Sequence, residues 1–418
     1  MALKRIQVSD VCLGMFIHEL CGSWMDHPFW KPSFLLNSEK DLQRLRESAV
    51  HDVWIDTEKG LDLPDAGDSA EEVAAQTEAL LQAAEQLPLV KPRAELGDEV
   101  GRALKLCMRA KERLSEVFAA ARQGQVLGHR ALAEQVDDIA DSLQRHPHAL
   151  ASLTRLRGSS EYAYLHAITV SALMIGLARQ LGMDDEQVRE AGLCGLLHDV
   201  GEALMPAELL NSEDKLSKVD SMMLRDHPVL GAEVLQQQGF SAAVLDVCLH
   251  HHERTDGAGY PHGLQGPQIS QLARMCAICD VYDALTSDRA YQQGWDPAEA
   301  VRKMAEWSKG QFDPVLFQAF VKSVGIYPVG SLVRLESGRR AVVSEQSDTS
   351  RLTPVVKGFL SSQAKTPIPQ EVLDLAKLVG RERIVARESA EEWGFRNLEE
   401  LWSGERKGRA ALFGTLGN

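Results

Sequence analysis

Thirteen histidines are spread unevenly along the 418-residue chain. His166, His198, His227, His250, His251 and His252 fall within residues 159–324. Asp199 directly follows His198, and Asp280 lies in Cys279-Asp-Val-Tyr-Asp-Ala-Leu-Thr-Ser-Asp-Arg289. Imidazole and carboxylate together suit borderline divalent metals such as Fe, Mn, Ni or Zn. Any one buried histidine is more often a hydrogen-bonded core residue than a ligand, and an Asp after a His is commonplace. The set carries the weight. Five histidines and two aspartates at separated, helix-compatible positions would be costly to bury without a cation.

Such ligands need elements that bring distant residues together, and each helix of a bundle can project one or two side chains inward. Adjacent helical residues point about 100° apart. His198 and Asp199 can therefore face one site only where a helix ends or distorts, and Gly201 offers that break. His251-His252, followed by Asp256-Gly257, poses the same problem.

The punctuation fits that demand. Glu161 to Leu181 reads as a helix ended by Gly182, and Asp184 or Asp185 caps the next one. Ser217 with Asp220 resembles a capping box. Asp296-Pro297 and Asp313-Pro314 each place a cap before a first-turn proline. Residues 159–324 are thus expected to form an all-α bundle. Before it, residues 1–60 read as short strands and turns, with Val50 to Ile55 a strand. A linker and a helix (Ala70 to Gln86) come next, then a helical stretch from Asp98 to about Gln144 broken near Gly124 and Gly128. After Gly325, Ser331 to Ser344 reads as a hairpin, Pro354 to Leu360 as a third strand, and Pro369 to Leu378 as a short helix.

Bulk properties narrow the function classes. A net charge of −15 argues against gripping long nucleic acid, which requires neutralising many phosphates. It leaves room for a small phosphate ligand, because metal ions can supply positive charge locally. No run of about 18 uncharged apolar residues is present, so no membrane span is expected. Met1 to Asp10 lacks an apolar signal core, and the expected compartment is the cytoplasm. Seven cysteines without framework spacing read as reduced thiols. Cys276 and Cys279 form a CxxC inside an apolar run, which reads as helix packing.

These segments resemble the HD-GYP domain, a subclass of the HD metal-dependent phosphohydrolases. The matching stretches are His198-Asp-Val-Gly201, Asp226-His-Pro228, His251-His-Glu-Arg254, Asp256-Gly-Ala-Gly-Tyr-Pro261, Asp280 to Arg289 and Gly310-Gln-Phe-Asp-Pro314. Residues 1–135 are similar to the uncharacterised domain that often precedes HD-GYP modules in proteobacteria, through Trp24, His27-Pro-Phe29 and Ile55 to Gly60. The resemblance implies a mainly α protein. An HD-type helical bundle would occupy 145–325, with a small α+β N-terminal domain (1–135) and a short β-rich C-terminal extension (326–418).

It also implies a cyclic-dinucleotide phosphodiesterase that turns cyclic di-GMP into linear pGpG or GMP. Alternatives are 3′,3′-cyclic GMP-AMP as substrate, or a receptor that acts through protein partners. By resemblance, His166, His198, Asp199, His227, His251, His252 and Asp280 are metal ligands, His198 and Asp199 form the catalytic pair, and Asp199 bridges two divalent ions (Fe, Mn or Ni). His250 is a spectator in this register, although the triple His allows a shift of one residue. Two cations roughly 3.5–4 Å apart can clamp a phosphodiester and supply a bridging hydroxide near neutral pH. Arg289 would bind a substrate phosphate, and the loop holding Gly257, Gly259, Tyr260 and Pro261 would shape the groove. Diguanylate cyclases with a GGDEF domain are the implied partners.

The chain departs from the family pattern at three places. Glu202 stands where the family usually has a phosphate-holding lysine, and Gln292 where a basic residue is common. Tyr162, with Glu161 one step off, stands where some members place a carboxylate for a third metal, so two ions are expected.

Overall fold

The computed structural model describes residues 2–21, 28–29, 33–48, 50–63, 67–83, 94, 96–125, 128–150, 162–206, 209, 218–287, 294–347, 350–361, 366–388 and 398–403. Near the N-terminus, β1 (Leu3–Gln7), β2 (Phe16–Leu20), β3 (Phe34–Leu35), β4 (Asp52–Asp56) and β5 (Asp68–Ser69) form an antiparallel sheet in the order β3-β2-β4-β1-β5. β4 is the strand expected from Val50 to Ile55. Helix α1 (Glu39–Arg46) adds Leu42 and Leu45 to the small core of this sheet.

Helices follow: α2 (Ala70–Ala83), α3 (Leu96–Arg122), α4 (His129–Arg145), α5 (Tyr162–Gln180), α6 (Asp185–Leu197), α7 (Lys218–Leu224), α8 (His227–Gln237), α9 (Ala242–His250), α10 (Gln271–Thr286), α11 (Pro297–Gln311) and α12 (Pro314–Val324). Their ends lie where short polar residues and glycine can satisfy loose backbone groups. α5 stops before Gly182, which takes a φ of +73°. Asp184 and Gln187 form a reciprocal capping box on α6. Asp296 and Asp313 cap α11 and α12 ahead of their first-turn prolines. The Ser217 cap lies outside the described residues.

Helices α3 and α4 share one continuous buried core with α5–α12, running from Val100 and Leu114 through Ile139 to Ile175, Cys276 and Phe320. The N-terminal sheet joins this body through Trp54 and Cys21, which belong to the same buried core, and through polar contacts on α11. Lys303 Nζ lies 2.6 Å from Glu19 Oε1, and the Arg5 guanidinium donates to the Glu306 carbonyl while also pairing with Asp52. All seven cysteines are free thiols, and Cys276 and Cys279 are fully buried in α10. Among the described residues, no helix is long and apolar enough to cross a membrane.

The C-terminal part is a second antiparallel sheet: β6 (Leu332–Leu335), β7 (Arg339–Glu345), β8 (Val355–Ser361), β9 (Thr366–Asp374) and β10 (Ile384–Arg387), in the order β10-β6-β7-β8-β9. One expectation fails here. Pro369 to Leu378 is not a helix: its first half lies in β9, paired with β8, and a turn follows. β9 is an edge strand, where proline is tolerated because one side needs no backbone donor. A short helix, α13 (Glu399–Ser403), seats Trp402 against the main core.

His146, at the C-cap of α4, is 1% exposed, and its Nδ1 accepts from the His148 amide at 3.3 Å. Burial pushes its pKa down to about 4. The unfolded chain therefore takes up a proton near pH 6.5 that the folded chain refuses until about 4. Stability from this group is complete above pH 6.5 and is lost between 6.5 and 4, by on the order of 3 kcal/mol. His146→Asn is expected to flatten the fall in Tm across that window. Equal slopes for variant and parent would refute the assignment.

Candidate metal centre

Helix ends solve the adjacency problem posed by the paired ligands. α6 ends at Leu197; His198 keeps helical angles, and Asp199 turns out of them at φ −101°, ψ 16° before the 3-10 turn Val200–Leu204. α9 ends at His250, and His251-His252 occupy the turn that follows. His227 opens α8, while His166 and Asp280 lie within α5 and α10.

These side chains converge on Asp199. Its Oδ1 lies 3.2 Å from the Nε2 atoms of both His227 and His251. Its Oδ2 lies 3.1 Å from His198 Nε2 and 3.4 Å from His166 Nε2. Asp280 approaches from α10, with Oδ1 3.1 Å from His166 Nε2 and Oδ2 3.8 Å from His252 Nδ1. The donors fall into two compact sets that share Asp199: Asp199, His227, His251 and His252, and then His166, His198 and Asp199. His250 faces elsewhere, bonding Asp246 and His262.

Hydrogen bonds at the far nitrogens decide what the near ones offer. His198 Nδ1 lies 2.9 Å from the Gly195 carbonyl, His227 Nδ1 2.7 Å from Leu224 O, and His251 Nδ1 2.9 Å from Cys248 O. His166 Nδ1 lies 2.7 Å from Asp283 Oδ2. Each of these acceptors requires a proton on Nδ1, so each neutral ring presents an Nε2 lone pair to the centre. Two consequences fit a cation. His198 Nε2 is buried without a hydrogen-bond partner. The Nε2 atoms of His227 and His251 lie 3.3 Å apart, both aimed at the space beside Asp199 Oδ1. The residues present therefore suit a divalent metal.

Electrostatics agree. Burial alone would raise Asp199, but His198, His166 and His227 outweigh it and hold the carboxylate well below the usual range. His227 is likewise opposed by burial, yet its bond to Asp199 lifts it to about 9. Burial and the neighbouring positive rings pull His252 down. Burial, with Asp199 close by, pushes the Glu202 carboxyl up to about 7. A divalent cation favours the deprotonated form of each group.

The loop after His252 is braced from within. Glu253 is 2% exposed and accepts from the amides of His262 (2.7 Å) and Leu264 (3.0 Å). Asp256 takes the Arg254 guanidinium and the Ala258 amide, while its own amide donates to Gly310 O. A Cβ on Gly259 would stand 2.4 Å from Arg254 N and Glu253 Cα, so only glycine lets the chain pass. The loop places Tyr260 beside His252, with Pro261 next along the chain, and Gly257 has a φ of +82°. Arg289, Gln292 and Glu161 lie outside the described residues, as does the side chain of Tyr162.

Two side chains that brace the site, Glu253 and Asp283, are not among the residues that the sequence singles out. Glu253 was visible only as part of a motif. Asp283 had a signal: it lies three residues after Asp280, on the same face of α10.

The fold and site together define an HD-type metal-dependent phosphohydrolase. Residues 136–316 match the HD domain model, and residues 3–131 match a domain of unknown function (DUF3391). A cyclic di-GMP phosphodiesterase of Pseudomonas aeruginosa is 54% identical over 98% of both chains. The cyclic di-GMP phosphodiesterase response regulator RpfG of Xanthomonas campestris is 31% identical over 51% of this chain and 58% of its own. A 3′3′-cGAMP-specific phosphodiesterase of Vibrio cholerae is 34% identical over 39% of this chain and 38% of its own. The chain belongs to the HD-GYP family of HD-domain phosphodiesterases.

Proposed function

We propose that the protein hydrolyses cyclic di-GMP at a centre of two divalent ions held by His166, His198, Asp199, His227, His251, His252 and Asp280. The observation that carries this reading is the convergence of imidazole nitrogens on Asp199, with four of the rings tied off at Nδ1. The near-full-length relative in Pseudomonas aeruginosa, a cyclic di-GMP phosphodiesterase, supports the substrate. Residues 145–325 would form the hydrolytic domain, with 1–135 and 326–418 as accessory parts of a cytoplasmic protein.

When bound, the ions supply Lewis acidity and lower the pKa of water. The protein's own part is to fix geometry and charge. Asp199 belongs to both donor sets and so sets their separation. Asp280 reaches toward both His166 and His252. His198 is fully buried, so its Nε2 is shielded from bulk water. Glu202 sits where a carboxylate would repel an anionic substrate. Burial and Asp199 push its carboxyl up to about 7, and bound cations would draw it back toward the charged form, so the ions must supply the positive charge that a lysine would otherwise bring. Arg289 is assigned to a substrate phosphate, and the Gly257 to Pro261 loop to the groove wall.

The test is hydrolysis by chelator-stripped protein reloaded with Mn, Fe(II) or Ni. Conversion of cyclic di-GMP to pGpG or GMP is expected, slower with 3′,3′-cyclic GMP-AMP. Tight binding without any product would favour a receptor. GGDEF-domain cyclases remain the proposed partner class, to be sought by pull-down with the intact chain.

A further inference from the structure

Four of the five histidines at the centre are aimed by a hydrogen bond at Nδ1, and His252 is not. Among the described residues neither of its ring nitrogens makes a hydrogen bond; its Nδ1 stands 3.8 Å from Asp280 Oδ2. Its ring instead stacks on Tyr260, with centroids 4.7 Å apart and planes 25° from parallel. The Tyr260 ring also carries the Arg225 guanidinium, 5.0 Å from its centroid. Arg225 lies in the turn between α7 and α8, two residues before His227. Tyr260 is itself tied to the site, since its amide donates to the His252 carbonyl at 3.3 Å.

We propose that Tyr260, with Arg225 over its ring, is the positioning device for His252. Stacking does for this imidazole what hydrogen bonds do for the other four. A flat aromatic neighbour confines the ring plane, and a guanidinium on that neighbour adds a cation–π attraction that resists its withdrawal. The device acts on one donor set only: His252 belongs with Asp199, His227 and His251, not with His166 and His198. Asp283 is its counterpart in the other set. It is fully buried and bonded to His166 Nδ1, and its Oδ1 has no partner, an arrangement that a merely structural carboxylate would avoid. The proposal rests on the two-ion reading above.

The full chain, stripped with a chelator, would be titrated with Mn(II) alone against a competing dye. The parent should show two classes of site. His252→Ala marks which class depends on His252. Tyr260→Leu should weaken that class by about tenfold and leave the other within about twofold. Tyr260→Phe keeps the stack and should match the parent, and Arg225→Met should weaken the same class by about threefold. Asp283→Asn should weaken the other class. Unchanged affinities in Tyr260→Leu, or equal weakening of both classes, would overturn the proposal. If Tyr260→Leu does not fold, Tyr260→Phe and Arg225→Met decide it. A parent with fewer than two sites would instead overturn the two-ion reading, and this proposal with it.

Discussion

Asp199→Asn is expected to strip the centre of both ions while leaving the helices in place. The substitution is nearly isosteric, so packing around α6 is preserved. Chemically it removes the one charge common to both donor sets. An amide oxygen is a weaker ligand than a carboxylate, and its NH2 end would compete for the Nε2 lone pairs that now face Asp199. Losing a partner one shell further out already costs about 10–100-fold in metal affinity. A shared ligand should exceed the upper figure at each ion, and hydrolysis should fall with occupancy. The same carboxylate also governs competition with protons. In the parent, His227 has a pKa lifted to about 9 by Asp199, so at pH 7 a metal must displace a proton from it. Apparent affinity should therefore rise with pH between 7 and 9, by up to about tenfold per unit. Removing the charge lowers His227, so the variant should show a shallower pH dependence. Calorimetry in buffers of different ionisation enthalpy measures the released proton. Two ions per chain and full activity in Asp199→Asn would show that the centre lies elsewhere.

How much of this centre could be read beforehand depends on the range of the interaction concerned. The helix breaks at Asp199 and after His250 follow from a local rule, that neighbours on a helix diverge, and they stand where that rule requires. Caps at Asp184, Asp296 and Asp313 are local too, and they form as expected. Spacing places Asp283 on the face of α10 that carries Asp280, but its partner, His166, is 117 residues away, and no local rule names that partner. β9 departs from the helix expected there for a related reason. A proline opens helices and also tolerates sheet edges, and only tertiary structure says which strand is outermost. Periodicity in α3 and α4 shows an apolar face but not that it packs into the bundle core. Tyr260 belongs to a recognisable motif, yet its stack on His252 depends on how Glu253 ties the loop back.

Gly201→Ala should have the second large effect, although Gly201 contributes no donor atom. A Cβ built on it would stand 1.9 Å from the His227 carbonyl oxygen and 2.8 Å from Gly231 N. Gly231 in turn has no room: a Cβ there would lie 2.7 Å from Cys248 Sγ on α9. The turn after Asp199 and the start of α8 are thus packed backbone against backbone, with the Cys248 side chain of α9 filling the space behind Gly231. A carbon–oxygen contact needs about 3.3–3.6 Å. Alanine at 201 must therefore drive the His227 carbonyl away by more than about 1 Å, and α9 behind it blocks a simple retreat. Overpacking of this kind costs roughly 1–3 kcal/mol, and a backbone obstacle puts it at the upper end. The same shift reaches the metal site, because the displaced carbonyl belongs to the residue whose Nε2 is 3.2 Å from Asp199. Metal–ligand distances tolerate about 0.2 Å. The ion held with His227 and His251 should be lost, whereas the set of His166, His198 and Asp199 lies on the other oxygen of the carboxylate and should keep its affinity. Gly201→Ala is thus expected to lower Tm and to bind one Mn(II), while Asp199→Asn binds none. A variant that keeps the parent's Tm and both ions would mean that the close approach of Gly201 to His227 is dispensable.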